Sequence, residues 1–197
     1  MKNFKLKTVL FVCMIALLLS SCTKDSDVEV PTAKKTLFAE NFDGSSLSDT
    51  GWSSVAQIGL KLWSLGSYKN NGYAKMSSYQ SGQPVNVTWL ISPEFNMDEH
   101  DGEKLFFQTA QDGFVKNSGN SLELFISTDY DPANFAAASW QKIDFDVAGA
   151  TSVKYVYQNS GILDLSKYTG TIRLAFKYVG TTSASGGYQI DNFRMFY

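Results

Sequence analysis

The 197-residue chain is short of the residues that build most catalytic and metal centres. It has one histidine, His100, and two cysteines, Cys13 and Cys22. That leaves almost nothing for a zinc site, a cysteine–histidine nucleophile or a serine–histidine triad. Charge is sparse as well, at 18%, and nearly balanced between 17 basic and 19 acidic residues, which argues against a cationic face for nucleic acid. The glycines lie in turns and not between a strand and a helix, so no phosphate cradle is indicated. What the chain does have is apolar and aromatic: 44% hydrophobic residues, with 14 Phe and 10 Tyr. Phe and Tyr favour pleated, half-buried surfaces, so the composition already leans towards sheet.

The first 21 residues read as a targeting segment. Lys2, Lys5 and Lys7 give a positive start, and an apolar run follows from Thr8 to Leu19. That run is too short for a permanent span, which needs about 20 apolar residues. It ends in Leu19-Ser20-Ser21-Cys22, which resembles a bacterial lipobox, so Cys22 is expected to carry the lipid; the alternative is an ordinary signal peptide with a chance cysteine. Cleavage before Cys22 would remove Cys13 and leave no pair for an internal disulfide. It would also remove the three leader lysines, leaving 14 basic residues against 19 acidic ones. Such a protein should be held at a membrane by acyl chains alone and not by charge. Residues 22–35 are polar and acidic (Thr23-Lys24-Asp25-Ser26-Asp27-Val28-Glu29, then Pro31-Thr32) and read as a tether. Acid-rich residues just after the lipidated cysteine resemble the surface-export signal of Bacteroidetes lipoproteins. The expected location is therefore the outer membrane, facing the cell surface or the periplasm.

Residues 36–197 read as one domain, with no second linker and no internal repeat. The pattern has a period of two. Leu122, Leu124 and Ile126 alternate with Ser121, Glu123 and Ser127, and Ile172, Leu174, Phe176 and Tyr178 with Arg173, Ala175 and Lys177. Further strands are expected over 36–42, 61–65, 73–77, 88–92, 104–110, 140–145 and 188–196. Turn clusters such as Asp43-Gly44-Ser45 and Asn117-Ser118-Gly119-Asn120 separate the strands. Only Asp131 to Ser139 reads as helical, one or two turns capped by Asp131. Many short strands without real helices imply an all-β fold, a two-sheet antiparallel sandwich. In the last strand Tyr188 and Ile190 share a parity that Phe193 and Met195 do not. Either a β-bulge at Asp191-Asn192 brings all of them to the core, or the strand is an edge with its apolar residues split.

Several segments together resemble choice-of-anchor J and cleaved-adhesin domains. They are Phe38-Ala39-Glu40-Asn41-Phe42-Asp43-Gly44 with Gly51-Trp52, Trp89-Leu90-Ile91-Ser92-Pro93-Glu94-Phe95, Leu124-Phe125-Ile126-Ser127-Thr128-Asp129-Tyr130, Phe176-Lys177-Tyr178-Val179-Gly180 and Ile190-Asp191-Asn192-Phe193. The resemblance covers essentially all of 36–197 in order. It implies a jelly roll akin to galactose-binding-like carbohydrate-binding modules and MAM domains, serving as a binding or adhesion module. Similar jelly rolls often hold one structural calcium ion where the first and last strands meet. The matching carboxylates are Glu40, Asp43 and Asp191, and calcium takes six to eight oxygens, so carbonyls and water would complete the set. The alternative is that these side chains simply cap the strand ends.

The residues themselves suggest a glycan face. Sugar rings stack on aromatic rings while amides and carboxylates meet the hydroxyls. Tyr68 beside Asn70 and Asn71, Tyr79 beside Gln80, and Tyr155 and Tyr157 beside Gln158 and Asn159 have the right polar, loop-like context. Against this, sandwich aromatics are mostly core, and Trp52, Trp63, Trp89 and Trp140 read that way. Paired carboxylates could hydrolyse a glycoside, but Glu94, Glu103 and Glu123 are isolated, and His100 in Asp98-Glu99-His100-Asp101 reads as a solvated loop residue. The expectation is a non-enzymatic surface module that binds a glycan, or else an adhesin-like module that contacts a surface protein.

Overall fold

A computed structural model describes residues 34–197. The expected leader, the expected lipidation site at Cys22 and the expected tether as far as residue 33 lie outside the described residues. Among those described, no helix is long and apolar enough to cross a membrane.

The domain is all-β, an antiparallel jelly roll of two sheets. In chain order the strands are β1 (Thr36–Glu40), β2 (Ser53–Ile58), β3 (Ser64–Tyr68), β4 (Asn71–Met76), β5 (Val85–Ile91), β6 (Phe95–Asn96), β7 (Lys104–Gln111), β8 (Ser121–Ser127), β9 (Gln141–Ile143), β10 (Gln158–Asn159), β11 (Leu163–Asp164), β12 (Thr171–Thr181) and β13 (Tyr188–Phe196). The first sheet runs β10-β7-β13-β4-β3, with β1 also on β13 and β11 on β7. The second runs β2-β5-β12-β8-β9, with β6 on β12.

Parity explains the packing. From β8 and β12, Leu122, Leu124, Ile126, Ile172, Leu174, Phe176 and Tyr178 all point inward and are buried. They meet Ala74, Met76, Leu105, Phe107, Ile190, Phe193 and Met195 of the first sheet. The interface is held by edge-on aromatic contacts, with Phe107 at 4.8 Å from Phe176 and Trp52 at 5.1 Å from Phe193. Such contacts are worth about 0.5–1.5 kcal/mol each beyond the area they bury.

The bulge expected in the last strand is present. Register against β7 slips between Asp191 and Arg194, and Asn192 takes a left-handed backbone (φ 52°). As a result Ile190, Phe193 and Met195 are all fully buried despite their opposed parity. Along one flank of β13 the partner changes at the same place: β4 pairs with residues 188–190 and β1 with residues 193–196.

Other expectations shift. The segment 131–139 forms no α-helix, only a 3₁₀ turn at Phe135–Ala137 led by Asn134. Asp131 instead closes a local turn through the Ala133 N–H at 2.9 Å, because Phe135 is drawn sideways onto Trp89. Strand β3 begins at Ser64 and not at Lys61, and β2 has no counterpart in the period-two reading. His100 is not fully solvated; its ring stacks on Tyr197 at 4.0 Å.

The outer faces of the two sheets differ. That of the second sheet is covered by the chain itself: Trp89, Ile91 and Ala175 lie beneath Tyr130, Phe135 and Trp140. Among the described residues, the outer face of the first sheet carries no such lid.

Deleting Asn192 would throw Phe193 and Met195 onto the wet face. That variant is expected to lack a cooperative urea transition, followed by tryptophan fluorescence. Asn192→Gly keeps the left-handed backbone and loses the amide's bond to Gln108. It should fold with a loss of about 1 kcal/mol.

Candidate functional site

The outer face of the first sheet holds a groove of about 920 Å³, within the ~300–1,000 Å³ range of small-ligand sites. Its floor is built from strand residues of outward parity. Ser64 and Tyr68 come from β3, Asn71, Tyr73 and Lys75 from β4, and Gln189 from β13. Tyr73 can lie flat in the floor because residue 66 beneath it is glycine; a Cβ there would sit 2.6 Å from the Tyr73 ring.

All four tyrosines singled out from the sequence line this groove, although they come from separate segments. Tyr68 ends β3, and the Lys69 ammonium lies 5.4 Å above its ring. Tyr79 follows β4 in a turn fixed by Ser77 Oγ, which accepts the Tyr79 N–H. Tyr155 and Tyr157 belong to the long segment between β9 and β10, which folds over the edge of the sheet. The Tyr155 N–H donates to the Gln111 carbonyl at 2.7 Å, and its left-handed backbone (φ 58°) turns the ring outward. Tyr68, Tyr79 and Tyr155 are 68%, 62% and 56% exposed, so none is core material. Tyr157 is half-buried, and its hydroxyl donates to Gln189 Oε1 at 3.1 Å. Burial, helped by the Asp191 charge, pushes the Tyr157 phenol well above its usual range, so it stays a neutral donor at physiological pH. Trp52, Trp63 and Trp89, by contrast, are buried.

Lys61, Lys75, Asp112 and Gln189 also line the groove and were not recognised in the sequence. Lys75 and Gln189 sit at outward positions in ordinary strands, and only the pairing of the strands brings them together. Asp112 is the carboxylate among the described lining residues. Its oxygens accept the N–H groups of Gly187 (2.7 Å) and Phe114 (2.9 Å). Glu94 instead pairs with Arg173, Glu123 with Lys142 and Lys177, and Glu103 is buried at the foot of β7.

The three carboxylates expected to share a calcium ion do not converge. Glu40 is buried and turned towards the first loop, accepting the Phe42 N–H at 2.6 Å and the Thr50 hydroxyl. Asp43 accepts the Gly72 N–H at 2.7 Å. Asp191 accepts the Asn192 N–H at 2.5 Å and the Asn71 amide at 2.9 Å. Among the described residues, no three His, Cys, Asp or Glu side chains lie close enough to hold one metal. Asp43 and Asp191 do feel each other. Burial raises the Asp191 carboxyl above its usual range and the Asp43 charge adds to this, while bonds from Asn71 and Asn192 partly offset it.

No protein-family model matches the chain, and no curated protein matches its sequence. Solved structures do share its fold. The K3 cleaved adhesin domain of Lys-gingipain from Porphyromonas gingivalis superposes with a TM-score of 0.57 at 16% identity, covering 83% of this chain and 100% of that one. The K1 cleaved adhesin domain of the same protein gives 0.53 at 20% identity, covering 80% and 96%. The carbohydrate-binding module TmCBM61, solved in complex with β-1,4-galactotriose, gives 0.50 at 14% identity, covering 80% and 98%. At these identities the likeness is one of fold.

The raised Asp191 carboxyl has a pH signature. A carboxyl whose folded pKa lies above its unfolded one favours folding only while protonated, so its contribution is present in acid and lost as pH rises through the folded value. Asp191→Asn is therefore expected to match or exceed the wild-type melting midpoint at pH 7 in EDTA, with the advantage gone below pH 4. A calcium ion bridging Asp43 and Asp191 would reverse the sign: in millimolar calcium, Asp191→Asn would melt below the wild type.

Proposed function

We propose that this protein is a surface lipoprotein whose jelly-roll domain binds carbohydrate without transforming it. The observation that carries this reading is the convergence of Tyr68, Tyr79, Tyr155 and Tyr157 on one groove, with the Asn71 and Gln189 amides between them. Exposed rings offer faces for the C–H surfaces of pyranoses, and the amides supply hydroxyl partners. The galactotriose bound by TmCBM61 lends the same fold to the same task. Glycoside hydrolysis by two carboxylates requires a pair flanking the bond. Here the one lining carboxylate, Asp112, is already held by two backbone N–H groups, which favours recognition over turnover.

A second reading has an observation of its own. Ile58, Leu60 and Leu62 are exposed beside the Tyr79 rim, and Leu60 is 78% exposed. Such a stripe suits an adhesin-like contact with a protein, as the cleaved-adhesin likeness would also suggest. The finer family reading, a choice-of-anchor J domain of a Bacteroidetes outer-membrane lipoprotein, rests on the sequence segments quoted above, the lipobox at Cys22 and the acidic tether.

Purified protein on a glycan array and in affinity gels is expected to retain one or more polysaccharides. Alanine at Tyr68, Tyr79 or Tyr155 should weaken that binding by about 1–2 kcal/mol, roughly tenfold in Kd. Because these rings are exposed, stability should move by no more than about 0.5 kcal/mol. Leu60→Ala should leave glycan binding alone; loss of a protein contact with the tyrosine variants unaffected would favour the second reading. For the anchor, Cys22→Ser is expected to abolish fatty-acid labelling and release the protein from the membrane fraction.

A further inference from the structure

We propose that the groove selects glycans bearing an anionic group, a carboxylate or a sulfate, and that Lys75 is the residue that reads it; the inference rests on the carbohydrate reading above. The register of the sheet lines up three polar side chains across the groove floor. Ser64 on β3 pairs with Lys75 on β4, and Lys75 pairs with Gln189 on β13. With strands about 4.8 Å apart, the row spans roughly 10 Å, the width of a sugar residue with its substituents.

Each member of the row offers a donor. Gln189 Oε1 is occupied by the Tyr157 hydroxyl, which leaves the amide N–H groups as its contribution. Ser64 brings a hydroxyl. Lys75 brings an ammonium that makes no ion pair among the described residues, where the pairs go to Lys104, Lys142, Arg173 and Lys177. A second ammonium, Lys61, lines the groove; one of its protons goes to the Tyr79 carbonyl at 2.6 Å, and two remain.

The described lining sets two ammoniums, Lys61 and Lys75, against one carboxylate, Asp112, whose oxygens also accept the N–H groups of Gly187 and Phe114. Asp191 lies two residues further along β13, and its oxygens go to Asn71 and Asn192. The groove is thus locally cationic on a domain whose residues 34–197 carry 16 acidic groups against 13 basic ones. Lysine on a strand often serves to block edge pairing. That does not account for Lys75, because β4 is enclosed by β13 and β3. A neutral glycan would leave an ammonium desolvated beneath it without a partner, whereas a uronate or sulfate ester would complete it. The tyrosines would hold the rings, and Lys75 would choose among them by charge.

The test uses the full chain with two matched pairs of polymers. Polygalacturonate is set against its methyl ester for carboxylate, and dextran sulfate against dextran for sulfate, with Kd measured at low and high salt. The expected result is at least one charged polymer bound about tenfold more tightly than its neutral partner, with the preference shrinking as salt screens the exposed ammonium. Lys75→Gln should abolish the preference and Lys75→Arg should keep it, with both variants melting like the wild type. Equal affinity for charged and neutral partners, or a charge preference that survives Lys75→Gln, overturns the inference. If tyrosine-dependent binding persists in either case, the carbohydrate reading still stands. Failure to bind either charged polymer overturns the inference; failure to bind anything on the glycan array, or binding indifferent to alanine at Tyr68, Tyr79 and Tyr155, overturns the carbohydrate reading and the inference with it.

Discussion

The extra residue in β13 is the constraint on which the rest of the structure depends. Without a change of parity at Asp191-Asn192, the strand could bury Ile190 or Phe193 and Met195, but not all three. With it, one continuous strand serves the core along its whole length. The same kink lets β4 and β1 share one flank of β13 in succession, and Asp191 lies at the junction between them. Packing, strand order and the position of a buried carboxylate thus follow from a single inserted residue.

A second theme is how unequally the chain treats its two outer faces. Residues 129–140 come back over the second sheet and bury Trp89, Ile91 and Ala175 there, with Lys177 placed over the Trp89 and Phe125 rings. On the first sheet the returning segment, residues 144–161, stops at the edge. It contributes Tyr155 and Tyr157 to a wall and leaves the middle of the sheet open. The aromatics of the covered face are stability elements, and those of the open face are free to meet something else. The Gly66–Tyr73 contact belongs to the open face: one glycine lets a ring lie flat in the groove floor and keeps the floor shallow.

The fold was legible wherever residues alternate strongly. β8 and β12 could be drawn from parity alone, while the broken parity of β13 left a bulge and a split edge strand as alternatives. β2 could not be drawn, since Ser53-Ser54-Val55-Ala56-Gln57-Ile58 has small and polar residues where its pattern should be apolar. The start of β3 was drawn too early because Leu62 imitates a core position while being half exposed. The 131–139 segment carries helix-start signals, but a tertiary contact, Phe135 on Trp89, prevails over them. At the site, the four tyrosines were visible through their polar neighbours. Lys75, Gln189 and Ser64 were not, because nothing local distinguishes an outward strand residue over a groove from one over bulk water. Glu40 was grouped with Asp43 and Asp191 through the jelly-roll resemblance, whereas Thr50 and the Phe42 N–H hold its carboxylate.

The two ends of the described domain are tied side by side: Lys35 and Tyr197 exchange backbone hydrogen bonds of 3.0 Å each way. Gln189, in the groove floor, lies at the opposite end of β13, roughly 25 Å away at about 3.3 Å per residue. A pull exerted on Lys34 while the groove is occupied would therefore run lengthwise along the β1–β13 ladder. The ladder would be loaded in shear, all its bonds straining together, and would not open one rung at a time.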